Sequence, residues 1–182
     1  MTNTIPAAFG VNRYLWNKII EQGVLSAANY SGLTPIIPAQ EEPTFVQAME
    51  KAAGIGAFPY IVYAWNTNGY STSYWEMTDQ IVYVIYAHDQ VKLRELTLLI
   101  AGLFKRFDES ADEINKYVQT ATATDGTPVF SEAYKAYDYK FTSVQQLSAN
   151  MSKSEETAPY KTMVTIRVNY THGDDAKPLS EL

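Results

Sequence analysis

Six consecutive residues, Ile81 to Tyr86, are apolar or aromatic without a break: Ile-Val-Tyr-Val-Ile-Tyr. A strand with one wet face alternates polar and apolar side chains. A strand with no polar position is buried on both faces, in the middle of a sheet. The run sits inside a longer strand pattern, Trp75 to Ala87, preceded by a second, Phe58 to Trp65. The stretch between them, Asn66 to Ser73, is polar and contains Gly69, so the two strands read as a hairpin with a long exposed tip.

Helical periodicity brackets this hairpin. Leu15, Trp16, Ile19 and Ile20 recur at helical spacing, predicting a first helix over roughly Asn12 to Leu25 with Asn12 as its cap. Gly23 and Asn29–Gly32 mark its end. Pro35, Pro38 and Pro43 make Leu33 to Pro43 an extended connector, because each lacks an N–H and restricts the residue before it. Thr44 then opens a short helix to about Ala53, ended by Gly54 and Gly56. After the hairpin, Asp89 stands where a cap belongs, and Leu96, Leu99, Ile100, Leu103 and Phe107 follow the 3.6-residue period. Asp108 restarts a second helix, with Ser110 and Glu113 at capping-box spacing and Ile114, Tyr117 and Val118 turned inward.

Thr120 to Pro128 is a loop, and two alternating strands close the domain. In one, Tyr137, Tyr139, Phe141 and Ser143 share a face. In the other, Val164, Ile166, Val168 and Tyr170 do. Ser148 to Pro159 between them is a second long polar loop. The expectation is an α+β domain over residues 1–172, with a sheet of about four mostly antiparallel strands and helices on at least one face, followed by a polar tail, 173–182, expected to fray.

Composition narrows the function classes. The chain has 182 residues, 46% of them hydrophobic, enough for one independently folding core. With no cysteine, disulfides, thiolate metal sites and cysteine nucleophiles are excluded. Basic residues number 14 against 20 acidic, with no dense run, whereas duplex DNA binding needs clustered cations to displace counterions. No apolar run approaches the roughly 18 residues of a membrane span. Residues 1–10 lack the charged and apolar regions of a signal peptide, and synthesis in the cytoplasm is expected. Tyr is abundant, at 14 residues, which suits both half-buried strands and interfaces.

Reactive constellations are sparse. There is no phosphate-cradling glycine loop, nucleophile elbow or histidine pair at metal spacing. His88 and Asp89 are neighbours, but successive side chains at a strand end point apart, so Asp89 reads as a cap rather than half of a proton-transfer dyad. His172, Asp174 and Asp175 sit at a tail too loose to cage a cation. Asp108, Glu109, Asp112 and Glu113 complement a helix dipole. Glu41 and Glu42 diverge on an extended segment and cannot act as a glycosidase pair. The expectation is no enzyme, no cofactor and no metal.

The order of segments resembles the tail terminator proteins of long-tailed, especially contractile-tailed, phages. The resemblance is carried by Thr34-Pro35-Ile36-Ile37-Pro38-Ala39-Gln40 with Pro43 and Phe45, by Pro59-Tyr60-Ile61-Val62-Tyr63, and by the Trp75 to His88 strand. Arg106-Phe107-Asp108, Ser110 to Asn115, Phe141-Thr142-Ser143-Val144 and the last strand complete it, over most of the chain. It implies a hexameric ring at the tail–neck junction of the virion. Such a ring docks on the last layer of tail tube protein, stops tube growth and presents a surface to neck or connector proteins, with sheath contact in contractile tails. DNA would slide through the lumen unbound, and a chain at net charge -6 would repel rather than hold it.

The polar stretch Ser148–Thr157 and the acidic end depart from that pattern and fit a related neck or head-completion protein as an alternative. A different class, a small-ligand binder, would use Tyr83, Tyr86, Tyr137 and Tyr139 to wall an apolar pocket. A third is an adaptor for one host protein. Tyr70, Tyr74, Trp75 and Lys153, in or beside the long loops, are the expected interface residues.

Overall fold

In the computed structural model, residues 6–53, 59–70, 76–130, 137–147 and 159–172 are described. The chain runs through α1 (Pro6–Glu21), β1 (Ile36–Pro38), α2 (Glu42–Ala53), β2 (Tyr60–Tyr70), β3 (Glu76–Ala87), α3 (Gln90–Lys105), α4 (Phe107–Thr120), β4 (Tyr137–Leu147) and β5 (Tyr160–His172). The fold is α+β. The five strands form one sheet in the order β1-β2-β3-β5-β4, antiparallel except for the β1–β2 pair.

The all-apolar run lies on β3, at the centre of that order. Ile81, Tyr83 and Ile85 are fully buried on one face beneath α1 and α3. Tyr83 stacks on Phe104 of α3 with ring centroids 6.5 Å apart, and its hydroxyl donates to Asn12 Oδ1 on α1 at 2.7 Å. Ile61, Val164, Ile166 and Val168 extend the same layer across β2 and β5. On the opposite face, Val82, Val84 and Tyr86 are only partly buried, so the burial expected on both faces of this run is met on one. There α2 covers one end: Tyr60 stacks on Tyr86 at 5.0 Å, packs against Phe45, and donates its hydroxyl to Glu42 Oε1 at 2.7 Å.

The fold corrects several expectations, each for a physical reason. The sheet has a fifth strand because Ile36 and Ile37 of the expected connector pair in parallel with Ile61 and Val62. Pro38 is tolerated because β1 is an edge strand. The next helix starts at Glu42 rather than Thr44. Pro43 falls in its first turn, where no intrahelical N–H bond is due. The hairpin tip is shorter than expected. Asn66 to Tyr70 remain in β2, paired as far as Tyr70 with Met77 across an irregularity after Thr67.

The first helix begins at Pro6, six residues before the expected cap. Proline suits a first helical turn. Asn12 is therefore mid-helix and buried, and Ile20 is exposed, while Val11 and Tyr14 join Leu15, Trp16 and Ile19 in the core. The helix does end at Gly23, at φ +68. Gly23 N–H bonds Ile20 O and Val24 N–H bonds Ile19 O, the paired closure of a Schellman motif.

On α3 the Asp89 cap is made, its Oδ1 accepting from Val91 N–H at 2.8 Å. The buried stripe is Leu93, Leu96, Thr97, Ile100, Ala101 and Phe104, so Leu99 and Leu103 sit at its margin, and Phe107 is exposed at the start of α4. The expected Ser110–Glu113 capping box does not form. Ser110 is buried and its hydroxyl donates back to Leu103 O, pinning α4 against the end of α3. On β4 a bulge between Phe141 and Ser143 shifts the register, so Val144 rather than Ser143 pairs opposite a buried residue, Ile166. All of the expected loop Ser148–Pro159 except Pro159, the tail 173–182 and the glycines Gly54 and Gly56 lie outside the described residues.

Candidate functional site

Helices α1, α3 and α4 cover one face of the sheet. Between them runs a groove of about 420 Å³, floored by Leu98, Leu99, Gly102 and Leu103. Gly102 lies open on this floor, where a β-carbon would meet nothing within 4 Å. The walls are polar. Lys18 of α1 bridges Glu113 of α4 at 2.8 Å and Glu21 at 3.3 Å, and Tyr14 donates its hydroxyl to Glu113 at 3.2 Å. Arg106 pairs with Glu109 at 3.3 Å.

This cluster is electrostatically coupled. Burial, and then the Glu113 charge, push the Tyr14 phenol up to about 12. The hydrogen bond from Lys18 holds the Glu113 carboxyl below its ordinary range, and the same bond raises the Lys18 ammonium. The arrangement keeps Tyr14 neutral, Glu113 anionic and Lys18 cationic at neutral pH. It fastens α1 to α4 rather than poising a proton. No sequence motif announces it, because Tyr14 and Glu113 are 99 residues apart in the chain.

A second surface is the part of the opposite sheet face that α2 leaves uncovered among the described residues. Val84 lies between Val62 and Met163, and Val82 between Ala64 and Thr165, so two largely apolar rows cross β2, β3 and β5. Ala64, Val82, Val84 and Met163 are partly exposed. Lys161, opposite Tyr86, and Arg167, opposite Gln80, bracket these rows on β5 and are exposed.

The expected site residues fare unevenly. Tyr70 is the last residue of β2, while Tyr74, Trp75 and Lys153 lie outside the described residues. Tyr83 and Tyr86 face opposite sides of the sheet, so they cannot wall one pocket, and Tyr137 and Tyr139 are placed on β4 opposite His172 and Tyr170. His88 is exposed at the β3–α3 junction beside the capping Asp89, and His172 ends β5. Glu42 binds the Tyr60 hydroxyl at the start of α2. Of the acidic run, Glu109 and Glu113 are engaged by Arg106 and Lys18. Among the described residues no group of three or more His, Asp or Glu side chains is placed to hold a metal. Nor is any described helix long and apolar enough to cross a membrane.

Asp79 was not singled out by the sequence. It is fully buried on the helix-covered face of β3, where its Oδ2 accepts a short hydrogen bond from Trp65 Nε1. Its Oδ1 has no hydrogen-bond partner among the described residues. Its only trace in the sequence is its place two residues before the apolar run.

No protein-family model matches the chain, and no curated protein matches it.

Proposed function

We propose that the chain is a structural, non-enzymatic subunit of the ring that ends the tail tube of a long-tailed phage and joins it to the neck. The observation that carries this reading is the order of segments. The Thr34 to Gln40 segment, the Pro59 to Tyr63 strand, the Trp75 to His88 strand and the Arg106 to Asn115 junction follow one another as in tail terminators. The fold is α+β, the class read from the order of the elements. In this reading the partners are further copies of the chain, the tail tube protein, a neck or connector protein and, in a contractile tail, the sheath.

The test is negative-stain microscopy of the purified protein, alone and mixed with assembled tail tubes. Rings, or density capping one end of the tubes, are expected. Particles that never touch a tube end overturn the reading and redirect the search to neck and head-completion partners.

A further inference from the structure

Between α4 and β4 the chain folds back on itself in a small, tied hairpin. Thr122 and Pro128 form an antiparallel bridge, Val129 N–H donates to Ala121 O at 2.9 Å, and Ala123 N–H donates to Thr127 O at 2.8 Å. Gly126 N–H closes the tip on Ala123 O at 2.9 Å, and Gly126 itself takes φ +82, the left-handed residue that a three-residue hairpin loop needs. Residues 122–129 are exposed, while Phe130 beyond them is buried in a T-shaped contact with Tyr117.

The tip carries an Asp-Gly pair, Asp125–Gly126. Such a pair is chemically labile in an unfolded chain, because glycine has no β-carbon to hinder its own nitrogen. The Gly126 nitrogen attacks Cγ of the protonated Asp125 carboxyl. The new N–Cγ bond closes a succinimide ring, and the carboxyl hydroxyl leaves with the amide proton as water. Water then reopens the ring at either carbonyl. One opening gives back aspartate, and the other gives isoaspartate, whose backbone runs through the side-chain carbons. Water is the only co-reactant, and the exposed tip is bathed in it. Sequence and exposure alone therefore mark this pair as a weak point.

The geometry restrains both reactants. Asp125 Oδ1 accepts from the Thr127 hydroxyl at 2.7 Å and from Thr127 N–H at 3.0 Å, an Asx turn doubled by the side chain. The hydroxyl bond first, and then the amide bond, hold the Asp125 carboxyl below its ordinary range, so the charged form, which has no hydroxyl to lose, persists to lower pH. The attacking nitrogen is held in its own bond to Ala123 O. We propose that Asp125 is a latent isoaspartate site and that Thr127 is the residue that keeps it shut. Isoaspartate adds a carbon to the backbone inside the tip, which breaks the register of the Ala123–Thr127 and Ala121–Val129 bonds. The inference is independent of the tail-ending reading.

In the test, the full-length chain is aged warm at mildly acidic pH, folded and again in urea. The peptide containing Asp125 is scored for isoaspartate by enzymatic methyl labelling and peptide mapping. The folded chain should isomerise several-fold more slowly than the unfolded one. Thr127→Val deletes the hydroxyl and keeps the N–H. It should raise the folded rate several-fold and leave the rate in urea unchanged, with circular dichroism checking that the variant is folded. Thr127→Ser restores the hydroxyl and should restore the slow rate. Equal folded and unfolded rates in the parent overturn the protection, whatever the variants do. A Thr127→Val chain that is folded and ages at the parent's rate, or a Thr127→Ser chain that ages several-fold faster than the parent, overturns the role of Thr127.

Discussion

At the scale of single residues, the polar groups that the core encloses carry the sharpest expectations. The Asn12 side chain accepts from the fully buried Tyr83 hydroxyl and also hydrogen-bonds the Tyr63 hydroxyl. Asn12→Leu strands a buried phenol and should cost about 1–3 kcal/mol, more than Tyr83→Phe, which removes that donor. In urea melts the double variant should lose less than the two single losses added together. Strict additivity would show that the bond contributes nothing. Asp79 presents the opposite case: one carboxylate oxygen takes the Trp65 indole and the other has no described partner. Asp79→Asn keeps an acceptor for the indole and buries a less costly group, so the melting temperature should hold or rise, whereas Asp79→Ala should lose about 1–3 kcal/mol. A sharp loss in Asp79→Asn would mean that the charge itself is needed.

Protonation acts through the α1–α4 cluster. Glu113 sits below its ordinary value, so its contribution is present above about pH 4.5 and is lost as the pH falls through the depressed value. Its side chain is 53% exposed and screened by water, so the loss should be at most about 1 kcal/mol. Acid-induced destabilisation should be smaller in Glu113→Gln than in the parent, and equal slopes would remove the cluster from the account. Tyr14 behaves inversely. Its neutral form is the one the fold holds, so its contribution is intact below pH 10.0 and disappears as the pH rises to about 12. Absorbance at alkaline pH should show Tyr14 ionising late, and Tyr14→Phe should flatten that part of the stability profile.

At the scale of elements, end signals read from the sequence succeed where the chemistry is local. Asp89 caps α3, and Asp89→Ala should cost about 1 kcal/mol by thermal melting followed by circular dichroism. An unchanged melting temperature would mean that packing alone holds that end. Gly23 closes α1 in a left-handed conformation at φ +68, one that a β-carbon disfavours. The signals that fail involve another element. Asn12 and Ser110 are sound capping residues by type, yet Asn12 is enclosed beside Tyr83 and Ser110 is drawn to Leu103 O. The same competition moved the buried stripe of α3: apolar residues occupy Leu93, Leu96, Leu99, Ile100, Leu103 and Phe104, more positions than one face can bury, and the sheet takes Leu93, Leu96, Ile100 and Phe104.

At the scale of the whole molecule, the described residues of the sheet are covered by α1, α3 and α4 on one face and only in part on the other. That asymmetry sets the expectations for assembly. A β3 strand apolar at every position can pack a helical layer beneath it and still present Val82 and Val84 above. Tube-end density in negative stain is the expected sign of the proposed docking.

Local pattern is enough to specify the α+β class, the central position of β3, the hairpin, the α3 cap and the Gly23 stop. Each follows from periodicity or from a side chain's preference for its own backbone, and neither needs a distant partner. The three-residue edge strand, the bulge on β4, the Tyr14–Lys18–Glu113 cluster and the burial of Asn12 and Asp79 arise from packing. Those depend on groups brought together from far apart in the chain. Burial energy and pairing across the sheet outweigh local propensities that differ by less than about 1 kcal/mol per residue.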